Sequence, residues 1–341
     1  MQKMQLQIHR QGRTVVTVMP RKKRQDDRLA AFRILPTSLL PASRFSGQIL
    51  KAALLTFSVI LGALTTPAPS LSDEVQNSAP SVRVFNRIVA KSEKEDWQKL
   101  PIGELMGKIA TELEGTPYVG GVLDRNTKKE VCTVDLSALD CVTFFESTLD
   151  LARIIKKGNP TPEALLKEVT YTRYRGGKPT DYTCRLHYTT DWYHDNQKKH
   201  VVELLQKLPG EQTFPSKVSF MSSHPQSYPV LVEHPEFVAT IKNQESQINK
   251  RHLNFVPMDK IASIEPLLQT GDIVGICTDQ PGLDIVHTGI IYRDKDGVPH
   301  FMDASSKKIN MKVTIEPGPI SGALKWSKNN IGIMVARPLE P

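Results

Sequence analysis

Apolar residues recur at positions 102, 105, 106, 109, 110 and 113 within PIGELMGKIATELE (101–114), the spacing of one helical face. Pro101 suits the first turn of such a helix. Gly115-Thr116-Pro117 breaks the run, so Tyr118 falls in a loop with a proline before it and Gly120-Gly121 after it. A second run, from Cys141 to about Lys156, carries one apolar stripe at 142, 145, 149 and 152 and another at 144, 151 and 155. A helix that is apolar on two faces is a central one. Asp140 stands before it as an N-cap. Lys156-Lys157-Gly158-Asn159-Pro160 closes it, with cations at the negative end and then breakers. Short β-branched runs bounded by Gly, Asp and Pro predict strands at 272–277, 285–292, 300–305 and 331–336. Residues 161–270 mix short helical pieces with proline-punctuated stretches and read as a large elaboration inserted between two halves of an α+β core.

The N-terminal part has a different pattern. Residues 1–48 form a basic extension, and 49–80 read as a signal peptide or anchor followed by a linker rich in Pro, Ser and Thr. The apolar run from Ala52 to Leu64 has thirteen residues, too few for a comfortable membrane span and suited to the apolar region of a secretory signal. Residues 81–341 are then a single domain, expected to be exported to the periplasm or cell envelope, with membrane contact only through the N-terminal segment.

Charge sharpens this division. The 341-residue chain carries a net +8, but residues 1–80 hold 11 Lys+Arg against 4 Asp+Glu, a balance of +7, which leaves +1 for the rest. The folded part has no global field to attract a polyanion, so no nucleic-acid partner is expected. The four cysteines, at 132, 141, 184 and 277, form no Cys-x-x-Cys pair, which argues against a structural zinc site. If Cys141 is a nucleophile, the other three allow at most one disulfide.

Cys141 opens a helix, where the macrodipole and unpaired N–H groups favour a thiolate and can also hold an oxyanion. In the stretch HTGIIY (287–292), strand alternation puts His287, Gly289 and Ile291 on one face. A hairpin centred on Lys295 pairs residues whose numbers sum to about 590, which sets His287 opposite Asp303. That is a nucleophile, base and orienter in the arrangement of a Cys–His–acid triad.

With PYVGG before it, and GDIV and HTGIIY far downstream, LDCVTFFES resembles the NlpC-type cysteine peptidases and amidases. The closest likeness is to their bacterial N-acetylmuramoyl-L-alanine amidase-like branch, which also shows a segment similar to residues 173–196. The resemblance spans roughly Leu100 to the C-terminus. It implies a papain-like core, with the Cys-bearing helix packed on an antiparallel sheet. It also implies hydrolysis of the amide between N-acetylmuramic acid and L-alanine, without metal or cofactor. Peptidoglycan or its muropeptide fragments would be the partner. Cys141 matches the family nucleophile, His287 its base, Tyr118 the tyrosine beside the nucleophile, and Asp140 the acidic residue before it. The third position is commonly His in a His-Ala-Ser motif. Here it is Asp303-Ala304-Ser305, and an aspartate can orient an imidazole and raise its pKa.

In the central segment Arg173, Arg175, Arg185, His187, Tyr188 and Trp192 mix cations with aromatics, a set suited to a carboxylated peptide and a sugar ring. Arg185, His187 and Trp192 join Tyr118 and Asp140 as the substrate-binding candidates. The alternative is that Tyr188 and Trp192, four apart, simply pack on one face. Three other functions compete: a γ-D-glutamyl-diamino acid endopeptidase using the same triad, a zinc amidase drawing on His187, His194 and His200, and a non-catalytic wall-fragment-binding protein. The second lacks any His-Glu-x-x-His spacing.

Overall fold

The computed structural model describes residues 78–341. The basic extension at 1–48, the apolar run at 52–64 and most of the expected linker lie outside the described residues. From Ser78 onward the chain forms α1 (Ala79–Lys94), α2 (Ile102–Leu113), α3 (Cys141–Lys156), α4 (Pro162–Arg173) and α5 (Thr189–Lys198). Next come β1 (Val202–Leu204), β2 (Gln212–Thr213), the short α6 (Phe220–Ser223) and α7 (Pro229–Glu233), α8 (Phe237–Ile248), β3 (Asn254–Pro257) and α9 (Ile261–Ile264). The last part holds β4 (Ile273–Thr278), β5 (Ile285–Arg293), β6 (Pro299–Ser305), β7 (Lys312–Ile315), α10 (Ile320–Ala323) and β8 (Asn330–Pro338).

The fold is α+β, as the patterning predicts, and its sheet is antiparallel throughout, in the order β2-β3-β8-β4-β5-β6-β7 with β1 also paired to β8. Alternation along the strands divides two layers of core. Ile273, Cys277, Ile290, Met302, Ala304, Met334 and Ala336 pack with the helical layer formed by α1 to α4. Val274, Ile276, Ile291, Phe301, Ile333 and Val335 face the other way, against Ile261 and Ile264 of α9 and Ile320 of α10. The central position predicted for α3 is realised. Every residue from Thr143 to Ile155 is buried, and the helix packs on β5 and β6.

Three local features depart from the sequence expectations. Residues up to 80 read as linker, yet α1 begins at Ala79 because Ser78 caps it, its Oγ accepting from the Ser81 N–H at 3.2 Å. Serine and proline at 78–80 serve a helix start as readily as a linker. The segment 161–270 is woven into the core rather than simply inserted: α4 packs on α3, and β1 and β3 both pair with β8. Only Val218, Met221, Val230, Leu231, Ile241 and Ile248, with Tyr182 and Tyr188, form a separate apolar cluster. Finally, the β5–β6 hairpin turns through residues 294–298 rather than 293–297, so it is centred on Asp296 instead of Lys295. Ile290 therefore faces Met302, and partner numbers sum to 592. A slip of two residues preserves the face, so Asp303 stays on the side of His287 but one pair along.

Candidate functional site

Cys141 is the first residue of α3 and is partly exposed. The start of the helix is fixed by a capping box. The Asp140 carboxylate accepts from the Thr143 N–H at 2.8 Å, and the Thr143 hydroxyl oxygen accepts from the Asp140 N–H at 2.9 Å. Asp140 is therefore committed to the cap through Oδ1 while remaining partly exposed. The cap leaves the N–H groups of Cys141 and Val142 at the positive end of the helix.

His287 Nε2 lies 2.5 Å from Asp303 Oδ2, and Cys141 is near enough to the imidazole to act on its charge. With Nε2 taken by the carboxylate, Nδ1 is the ring nitrogen left free of it. Burial alone would push the imidazole toward its neutral form, but the Cys141 charge and the Asp303 carboxylate outweigh it and push its pKa up to about 10. Burial raises the Asp303 carboxyl, while the bond to His287 lowers it. The proton of this pair resides on His287, because an imidazole is intrinsically more basic than a carboxylate. Thus the structure brings Cys141, His287 and Asp303 together, with a hydrogen bond between the last two, although the register that predicted the His–Asp contact was two residues off.

Gly289 makes room for this line. A Cβ there would meet the Phe301 ring at 2.6 Å and the Met302 carbonyl oxygen at 2.5 Å, and the His287 ring stands edge-on to Phe301 with centroids 6.2 Å apart.

Tyr118 is held near the start of α3 from two sides. Its N–H donates to the Met311 carbonyl at 3.0 Å, and the Val119 N–H donates to the Leu139 carbonyl at 2.9 Å, one residue before Asp140. Burial, then the charges of Cys141 and Asp140, raise the Tyr118 phenol well above its ordinary value, so it remains an O–H donor.

The central segment is placed differently. Trp192 is only 2% exposed; its Nε1–H donates to Glu146 at 3.0 Å and its ring stands edge-on to Phe145 at 5.0 Å. It has no free face for a sugar, so the packing alternative describes it. Arg185 is buried and pairs with Asp124 at 2.6 Å and Glu130 at 3.3 Å, with its guanidinium 4.8 Å above the Tyr182 ring. Its charge is already spent inside the protein, where it also donates to the Leu123 carbonyl at 3.2 Å and so fixes the loop after Tyr118. His187 rests against the Tyr182 ring and bonds the Tyr182 carbonyl at 2.8 Å; burial and then Arg185 push its pKa down to about 3. Arg173 ties α4 to α3 through Glu146 at 2.8 Å.

Sequence reasoning passed over Trp326. It is 47% exposed, and its ring stands perpendicular to the His287 ring with centroids 6.4 Å apart. An isolated tryptophan in a Lys/Ser/Asn loop gives no local signal of that contact. None of the four cysteines is in a disulfide, and among the described residues no group of three or more His, Cys, Asp or Glu is arranged to hold a metal.

Comparison with known proteins comes to the same region of chemistry. A family model described as N-acetylmuramoyl-L-alanine amidase-like matches residues 108–320. The structure of an N-acetylmuramoyl-L-alanine amidase from Bacteroides uniformis ATCC 8492 superposes with a TM-score of 0.65 at 30% identity, covering 70% of this chain and 99% of that one. A Bacteroides fragilis protein carrying a provisional xylanase name superposes with a TM-score of 0.61 at 32% identity, covering 67% of this chain and 98% of that one. A protein from Legionella pneumophila str. Philadelphia 1, at 18% identity and a TM-score of 0.56, covers 77% of this chain and 97% of its own and shares the fold. No curated protein matches the chain.

Proposed function

Because the chain belongs to the N-acetylmuramoyl-L-alanine amidase-like family, we propose that it is a cysteine-dependent amidase. It hydrolyses the amide between N-acetylmuramic acid and L-alanine in peptidoglycan or its fragments. The observation that carries this reading is the His287–Asp303 hydrogen bond set beside Cys141, the first residue of α3. In the same reading, α3 on its sheet is an NlpC-type, papain-like core, and the enzyme works in the periplasm or cell envelope.

The chemistry follows from the site. The Cys141 sulfur attacks the amide carbon, and the carbonyl π electrons move to oxygen. The helix-start N–H groups of Cys141 and Val142, and the Tyr118 O–H, are the available donors to that oxyanion. As the tetrahedral species collapses, the His287 imidazolium gives its proton to the departing nitrogen, so the peptide leaves as a neutral amine. Now neutral, His287 takes a proton from water. The resulting hydroxide equivalent attacks the thioester, and Cys141 departs as thiolate, restoring the ion pair. Asp303 keeps the ring oriented and holds its positive charge in a buried setting.

Mass spectrometry of disaccharide-tetrapeptide incubated with the full-length protein tests the scissile bond. The reading expects free disaccharide and an intact tetrapeptide beginning with L-alanine. Release of a diamino acid fragment would move the cut to the γ-D-glutamyl bond and overturn the amidase assignment. Binding without turnover would overturn catalysis.

A further inference from the structure

We infer that Trp326 forms a subsite for the peptide that leaves. This rests on the amidase reading and adds to it the side of the nucleophile on which the stem lies. Of the three tryptophans in the chain, Trp97 and Trp192 are each 2% exposed, whereas Trp326 is 47% exposed. A lone exposed apolar ring is ordinary; what singles this one out is its place at the edge of the His287 imidazole. The loop that carries it is built rather than loose. Leu324 anchors it with no exposure, and its carbonyl accepts from Asn330 Nδ2 at 2.9 Å. The Asn330 N–H donates to the Ser327 carbonyl at 3.2 Å, and Asn329 Nδ2 donates to Asp279 at 2.9 Å. The indole is therefore presented at a fixed place, perpendicular to His287 at 6.4 Å. It also lies beyond residue 320, where the family match ends.

The reaction gives the direction. His287 must reach the departing nitrogen, so the leaving group occupies the side of the sulfur where His287 stands. Trp326 neighbours His287, whereas Tyr118 bridges to Leu139, two residues before Cys141. The acyl group, with its sugar, therefore belongs to the Tyr118 side and the peptide to the Trp326 side. The stem begins with L-alanine, whose methyl group and backbone suit an indole face. It continues with carboxylates, and Lys325 and Lys328 are exposed on the same loop.

Two readouts test this with the full-length protein. The first is kcat/KM for Trp326→Ala on two substrates sharing one acyl group: N-acetylmuramoyl-tetrapeptide and the primary amide of N-acetylmuramic acid, whose leaving group is ammonia. The subsite predicts a fall of about tenfold on the tetrapeptide and no change on the primary amide. An equal fall on both would make Trp326 a support for His287 or the acyl group, and no fall on either would remove any role; both results overturn the proposal. The second is tryptophan emission of the Cys141→Ala protein titrated with free tetrapeptide or with N-acetylmuramic acid. Because Trp326 is the exposed tryptophan, the tetrapeptide should shift emission saturably and the sugar should not. The reverse pattern, or no response to either, contradicts the subsite. Absence of turnover in the unsubstituted protein would sink the amidase reading alone, since the titration does not depend on catalysis.

Discussion

Two regions of this molecule are rich in the residue types that usually signal chemistry, and they are put to opposite uses. Around the start of α3, the partly exposed Cys141 lies beside His287, which hydrogen-bonds Asp303, and Tyr118 is tied to Leu139 two residues before the cysteine. In residues 173–196, Arg173, Arg185 and Trp192 are buried, and each spends its charge or N–H on an internal partner. Residue type is shared between the regions. What separates them is whether the polar atoms are already satisfied within the fold.

Single substitutions divide the two regions most sharply. Cys141→Ala should lower turnover of disaccharide-tetrapeptide by at least about a thousandfold and leave the unfolding midpoint in urea nearly unchanged. Arg173→Met should do the opposite. It leaves the buried Glu146 without its guanidinium partner, costing about 3–5 kcal/mol in urea unfolding, with KM of the surviving folded protein unaltered. Were Arg173→Met to raise KM while keeping stability, the central segment would be a binding surface after all.

A smaller effect is expected at the orienter. Asp303→Asn should cost roughly 10- to 100-fold in kcat. It should also bring the alkaline limb of the pH–rate profile to lower pH, because one of the groups holding the His287 proton is gone. An unchanged rate and profile would remove Asp303 from the mechanism.

The two histidines also predict pH dependences of opposite sign. His287 has its folded pKa raised from 6.5 to about 10, so the folded state holds more protons between those values. Its contribution to stability is fully present below about 6.5 and is lost as pH rises toward 10. His187 has its folded pKa lowered from 6.5 to about 3. There the unfolded state binds the extra proton, so stability falls as pH drops from about 6.5 toward 3. Urea unfolding across pH should show the alkaline loss diminished by Asp303→Asn and the acid loss diminished by His187→Gln. The smallest effect belongs to the capping box: Thr143→Ala should cost about 1 kcal/mol in the same assay, with catalysis reduced only if the position of Cys141 shifts.

The same comparison explains what was legible in the sequence. Strong periodicity located α2, α3 and the four long strands to within a few residues, because each buries a regular face. Period-two alternation also put His287 and Asp303 on one face, and that survived a hairpin centre moved by one residue, which shifts the pairing by two. β3 and β7 were not legible: four residues each, NFVP and KVTI, give too short a run to show alternation. The partners of the central cations were hidden for a different reason. Glu146, Asp124 and Glu130 lie 27, 61 and 55 positions from the arginines they pair, and only the tertiary fold brings them together. Trp326 was invisible on the same ground, since its significance lies in a ring 39 positions away.

The account stands most directly on the identity of the attacking atom. Disaccharide-tetrapeptide mixed with the full-length protein, quenched in acid within the first turnover and mapped by peptide mass, tests it. The account predicts the mass of the disaccharide-lactyl acyl group on the peptide that contains Cys141, with tetrapeptide released in equal amount. Turnover with an unmodified Cys141, or with the acyl group on another residue, would contradict it.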